Sequence, residues 1–155
     1  MTQLDERRYL KCPYHTAREY LASAITTAIA HETPRVVRLR VSLADVEIEK
    51  DVQATFSPQT DPRHFDQPWT VHWEPAGGGP FPIFDGTIAV RSAEDYDSCI
   101  LELQGAYDPP LGGVGKIFDA AIGSRVAKAT AQNLLATIGE RMETQHAREE
   151  ASKSS

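Results

Sequence analysis

The chain is short of basic residues, of cysteine and of long apolar runs. Lys and Arg number 16 against 22 Asp and Glu, for a formal net charge of −6. An acidic chain lacks the basic face that sequence-independent nucleic-acid binding needs, so no nucleic acid is expected as a partner. Two cysteines in 155 residues exclude a disulfide scaffold and make a reducing cytoplasm the expected setting. No apolar run approaches the roughly 18 residues of a membrane span. The opening MTQLDERRYLK is charged from Asp5 onward and shows no apolar signal core. Membrane insertion is therefore not expected. Metal-ligand spacing is missing too. The five histidines, His15, His31, His64, His72 and His146, include no i, i+4 pair on a helix, and there is no Cys-x-x-Cys. Neither a metal nor a cofactor is expected.

What is present is ordinary globular material. Hydrophobic residues make up 41% and charged residues 25%, enough for a real core in one domain of this length. A single domain is expected over residues 1–148, with a polar, disordered tail at 149–155. Arg7 to Cys12 reads as a first strand ended by Pro13. From Thr16 to about His31, Ala17, Tyr20, Leu21, Ala24, Ile25 and Ala28 recur at helical spacing. Thr16 is the expected N-cap and Glu19 its capping-box partner, and Pro34 stops the helix.

Period two then takes over. Val37, Leu39, Val41 and Leu43 alternate with charged or polar residues, as do, apart from Lys50, Val46, Ile48, Val52, Ala54 and Phe56 after a weak Ala44-Asp45 turn. Residues 57–67 read as a polar loop. Trp69, Val71 and Trp73 form the next alternating face, and the 75–80 run PAGGGP is a turn. Phe84, Gly86, Ile88 and Val90 follow, then Cys99, Leu101, Leu103, Gly105 and Tyr107. Successive strands without intervening helices predict an antiparallel sheet. By this alternation His72 and Asp85 face away from the tryptophans.

Pro109-Pro110 closes the sheet, and one long helix is expected from Leu111 to about Arg148. Val114, Phe118, Ala121, Ile122 and Ala129 share one apolar stripe. Leu134, Leu135, Ile138 and Met142 cluster on another side, which predicts a bend or two packing partners near Gly123. The second cluster offers a homodimer or partner surface if the sheet leaves it uncovered. Arg125 falls near the middle of the first stripe. It either snorkels or pairs with a sheet carboxylate, or it holds an acidic group of a ligand in a cavity.

Three stretches resemble the START-like, or helix-grip, superfamily, which also includes polyketide cyclases, plant pathogenesis-related allergens and coenzyme Q-binding proteins. Tyr9 to Leu21 (YLKCPYHTAREYL) resembles its opening strand, proline and first helix. Trp69 to Gly86, with its tryptophan pair, glycine turn and FPIFDG, resembles a hairpin of bacterial members. Leu103 to Glu143 resembles the last strand and closing helix. The resemblance implies an α+β helix-grip fold, a curved antiparallel sheet of six or seven strands around a long C-terminal helix. Six strands are visible here where seven are usual, and one helix where two short ones are common. It implies a cavity between sheet and helix for a hydrophobic small molecule such as a lipid, polyketide, quinone or aromatic compound, and it assigns no catalytic residue. It also makes the first and last strands antiparallel neighbours, which brings Cys12 near Cys99 as free buried thiols.

The wall of such a cavity would be Trp69, Val71, Trp73, Phe84, Leu101, Leu103, Tyr107, Phe118 and Ile122, with Arg125 as polar anchor. The same aromatic face also reads as plain core. Binding or carrying a hydrophobic molecule is the leading expectation. A cyclase or dehydratase, using Tyr107 and a nearby acid, is the alternative. An interaction module with a filled core and an exposed apolar patch is the third. The 112–116 run GGVGK looks like a phosphate loop, but Ile117 stands where a magnesium-binding Ser or Thr is required and Pro110 where the leading glycine belongs. Its glycines are better read as allowing close approach of the helix start to the sheet.

Overall fold

Period-two alternation becomes six strands, and the two helical patterns become two helices. The computed structural model describes residues 2–28, 35–43, 46–58, 68–77, 81–108 and 120–153. In chain order these form β1 (Thr2–Leu10), α1 (Tyr14–Ala28), β2 (Arg35–Leu43), β3 (Val46–Pro58), β4 (Trp69–Pro75), β5 (Ile83–Ser92), β6 (Cys99–Asp108) and α2 (Ala120–Lys153). The strands make one six-stranded sheet in the order β1-β6-β5-β4-β3-β2. Every neighbouring pair is antiparallel. The edges of the sheet are therefore β1 and β2, yet α2 packs against β1, β6 and β2. A helix can meet both edges of a sheet this wide only if the sheet curls around it. Among the described residues, α2 approaches these strands more closely than the central β3, β4 and β5.

β1 starts at Thr2, five residues before the alternation becomes legible. It pairs with β6 along its whole length, from Thr2↔Tyr107 to Leu10↔Cys99. Only Leu4 and Leu10 of β1 are buried, and the inner positions between them hold the half-buried Glu6 and Arg8. Two polar residues on the core side hide the apolar period.

Helix α1 begins at Tyr14, so Thr16 is not its cap. The Pro13 carbonyl accepts from the amides of Thr16 and Ala17 at 3.2 and 2.9 Å. The Thr16 hydroxyl, already inside the helix, donates back to the same oxygen at 3.2 Å. The helix ends at Ala28, and the expected stop at His31 to Pro34 lies outside the described residues.

Helix α2 corrects three expectations. Its buried positions are Gly123, Val126, Ala127, Thr130, Ala131, Leu134, Leu135, Ile138, Gly139 and Met142, one stripe at three- and four-residue spacing. Of the first expected stripe, Val114 and Phe118 lie outside the described residues, only the backbone of Ala121 and Ile122 is described, and Ala129 is half-buried. Leu134, Leu135, Ile138 and Met142 are all at most 3% exposed, so they offer no free dimer or partner surface. Arg125 is exposed. It stands two residues before Ala127, about 200° round the helix from it, and so points away from the core rather than into it. The tail expected from residue 149 is helical through Lys153. The expected helix start at Leu111 lies outside the described residues.

The core lies between the inner sheet face and the two helices. Small residues let α2 come close to β1. A Cβ built at Gly139 would stand 2.7 Å from Leu10 Cδ2 and 3.3 Å from Arg8 Nε. α1 lies beside α2, where the Tyr20 hydroxyl donates to Glu149 Oε2 at 2.7 Å and stands 3.3 Å from His146 Nδ1.

Candidate ligand site on the inner face of the sheet

Strand register sets the aromatic residues side by side. Ala54 faces Trp73, Trp73 faces Phe84, and Phe84 faces Tyr107, one row running across β3, β4, β5 and β6. All four are buried. Directly opposed side chains on one face of an antiparallel pair stand about 5 Å apart, close enough for rings to stack. Trp73 and Phe84 do so, with centroids 4.2 Å apart and planes at 18°.

The next row on the same face is Phe56, Val71, Gly86, Gly105 and Leu4. Its two glycines leave a flat window in the sheet. A Cβ at Gly86 or at Gly105 would meet Phe84 Cζ at 2.5 or 2.6 Å. The Phe84 ring therefore lies over both glycines, and the Trp73 indole stacks on it.

Trp69, Ile88 and Leu103 make the third row, and Val90 and Leu101 the fourth. Trp69 is half-buried; the others are buried. The structure thus gathers seven of the nine expected wall residues, Trp69, Val71, Trp73, Phe84, Leu101, Leu103 and Tyr107, on one face. Phe118 lies outside the described residues, only the backbone of Ile122 is described, and the exposed Arg125 does not join the face. Ala54, Phe56 and Ile88 belong to it as well, and they were legible as the apolar phase of their strands.

Trp73 Nε1 is buried and has no hydrogen-bond partner. Arg8 Nε, at the α2 side of β1, is the other buried polar side-chain atom without one among the described residues. Such groups are uncommon, because an unpaired buried donor costs about 1–3 kcal/mol.

The outer face carries the ionic chemistry. His72 donates from Nδ1 to Asp85 Oδ1 at 2.7 Å, and its Nε2 stands 3.5 Å from Glu74 Oε2. Partial burial works against the imidazolium. The hydrogen bonds and charges of Asp85 and Glu74 outweigh it and raise the His72 pKa above its ordinary value. Glu102 is 7% exposed and lies between Arg7 Nε at 3.0 Å and Arg91 Nε at 3.3 Å. Sequence reading placed His72 and Asp85 on this face but missed their pairing, which needs the β4–β5 register. At the start of β6, Cys12 Sγ and Cys99 Sγ are 3.6 Å apart, both buried. The shared hydrogen bond with Cys12, burial and the Glu143 charge hold the Cys99 thiol protonated. Among the described residues no group of His, Cys, Asp and Glu is placed to hold a metal ion, and no helix is long and apolar enough to cross a membrane. A groove of about 570 Å³ runs between α1 and α2, lined by residues that include Ser23, Thr137, Glu140, Arg141 and Arg148. It lies among polar side chains, apart from the aromatic face.

No protein-family model matches the chain, and no curated protein sequence does. Solved structures do match. A conserved protein from Geobacillus kaustophilus is 18% identical, with 94% of this chain and 95% of that one covered and a TM-score of 0.54. The Zhui aromatase/cyclase from Streptomyces sp. R1128 is 15% identical, with 94% and 93% covered and a TM-score of 0.51. A START superfamily protein from Mycobacterium smegmatis is 10% identical, with 96% and 99% covered and a TM-score of 0.42. The chain has a START-like fold, the helix-grip arrangement of an antiparallel sheet around a long C-terminal helix.

Proposed function

We propose that this protein binds or carries a hydrophobic small molecule between the inner face of the sheet and α2. One observation carries the reading. The aromatic row Trp73, Phe84 and Tyr107 sits on the central and last strands of a curved sheet, and α2 approaches β4 and β5 less closely than β1, β6 and β2. Ligand sites are mostly apolar concavities with a few polar groups, and this face has that composition. The aromatase/cyclase likeness, at 15% identity, supports the fold alone. Nothing on the described inner face favours a cyclase or dehydratase over a binder. The buried second cluster on α2 removes the patch that favoured an interaction module.

Native mass spectrometry of protein purified gently from its own cells tests the reading. A reproducible extra mass of a few hundred daltons, released by solvent extraction, is expected. Titration of the extracted apoprotein with planar apolar compounds should quench tryptophan emission. A clean apo mass together with no quenching by any such compound overturns the reading.

A further inference from the structure

The buried indole of Trp73 is a polar feature of the aromatic row that the hydrophobic reading leaves unexplained. Trp73 is 0% exposed, and its Nε1 has no partner among the described residues. Its ring position is well determined by its neighbours. One face stacks on Phe84, which in turn lies over Gly86 and Gly105. The indole therefore cannot easily turn to find an acceptor elsewhere. It stands on β4, a central strand against which α2 packs less than it does against β1, β6 and β2.

We infer that the ligand of this face carries a carbonyl oxygen that accepts the Trp73 Nε1–H bond. The inference rests on the hydrophobic-ligand reading and names the chemistry of its polar end. An indole N–H is a single neutral donor with no acceptor capacity, so its partner must be an acceptor. A carboxylate would lose its hydration against the apolar walls, whereas a ketone or ester oxygen gives up little. Binding would then exchange an unpaired buried donor for a made hydrogen bond, and a site built to hydrogen-bond its ligand discriminates against the analogue that lacks the group.

A matched pair of rigid tricyclic probes, 9-fluorenone and fluorene, isolates the carbonyl. Wild-type protein is expected to bind 9-fluorenone about tenfold more tightly, the equivalent of one good hydrogen bond. Trp73→Phe should bring the two affinities within about twofold of each other by weakening 9-fluorenone alone. Should that variant fold poorly, the nitrogen-15 NMR spectrum of the wild-type protein serves instead, with the two indole signals assigned through Trp69→Phe. The Trp73 Nε1–H resonance should then move downfield with 9-fluorenone and stay in place with fluorene. Equal wild-type affinities, or an unmoved Trp73 resonance, mean that water satisfies the indole and overturn this inference while leaving the hydrophobic-ligand reading intact. Binding of neither probe, with no other planar apolar compound bound, overturns both.

Discussion

Gly86 and Gly105 face each other across β5 and β6, and the Phe84 ring lies over the pair. A side chain at either position has nowhere to go. At Gly105 a Cβ would stand 2.6 Å from Gly86 Cα and would also strike the Asp85 carbonyl oxygen. At Gly86 it would stand 2.8 Å from Gly105 Cα and would strike the Gln104 carbonyl oxygen. Backbone cannot move aside as a flexible side chain can. Gly86→Ala and Gly105→Ala should each lower the free energy of unfolding by about 3 kcal/mol, the upper range for overpacking. Urea denaturation measures it. A loss below about 1 kcal/mol in both would mean that the two strands are not this closely opposed.

His72 gives the fold a pH dependence of definite sign. Its pKa in the folded chain is raised above the ordinary 6.5, so its pairing contributes in full below about pH 6.5 and is lost as pH rises through the raised value. His72 and Asp85 are partly exposed, with side chains 39% and 71% accessible, so solvent screening keeps the contribution below about 1 kcal/mol. His72→Gln should lower Tm by about 1–3 °C near pH 6 and by less near pH 9. Thermal melts of both proteins across that range check it. A gap that is constant, or that widens with pH, contradicts the ion pair.

Glu102 joins three strands through charge. It sits on β6 and accepts from Arg7 of β1 and Arg91 of β5. Its carboxylate is the buried partner; the two arginines keep about half of their side chains in water. Removing it leaves hydrated cations rather than stranded ones, which limits the cost. Glu102→Ala should destabilise by about 1–2 kcal/mol, and Glu102→Gln by less, since the amide oxygen still accepts. Raising salt should narrow the difference between wild type and Glu102→Ala.

Cys12 and Cys99 stand 3.6 Å apart at the sulfurs, and a disulfide needs about 2.05 Å with a compatible backbone. Both thiols are 0% exposed, so Ellman's reagent should react slowly with the folded protein and fully in denaturant. Diamide should join the two within one chain, with a mass loss of about 2 Da and a clear rise in Tm. Chain entropy for a closed loop of this length gives up to about 4.6 kcal/mol, less any strain in the bridge. Cys12→Ser should abolish both changes. Formation of intermolecular dimers alone would contradict the observed proximity.

The strands were legible because β4, β5 and β6 each alternate cleanly, and the aromatic wall followed from that alternation. The buried stripe of α2 was less legible. The α2 stripe contains Gly123, Ala127, Ala131 and Gly139, whose low hydrophobicity makes them look neutral although they are where the helix comes closest to its neighbours. Arg125 shares the phase of Val114, Phe118 and Ala121, but the buried positions from Val126 to Met142 lie on the other side of the helix. β1 was half hidden because Glu6 and Arg8 hold inner positions on an edge strand, where apolar periodicity is weakest. The pairs His72–Asp85 and Arg7–Glu102 depend on cross-strand register, which no local pattern encodes. The orphaned Trp73 donor depends on what surrounds a ring in three dimensions.

The place of β1 in the sheet has a consequence for synthesis. Thr2 pairs with Tyr107, and Leu10 with Cys99, so β1 has its only sheet partner about a hundred residues later in the chain, in the last strand of the sheet. At about 5–20 residues per second, a ribosome needs roughly 5–20 s to produce that partner. For that interval β1 waits as an open edge with Leu4 and Leu10 uncovered, and the long loop between it and β6 must close before the sheet is whole. Charged residues at Asp5, Glu6, Arg7 and Arg8 occupy the middle of this waiting strand. They keep it from joining a neighbouring nascent chain, as charges on edge strands do. The same polarity that obscured the strand's period thus protects it while it is alone.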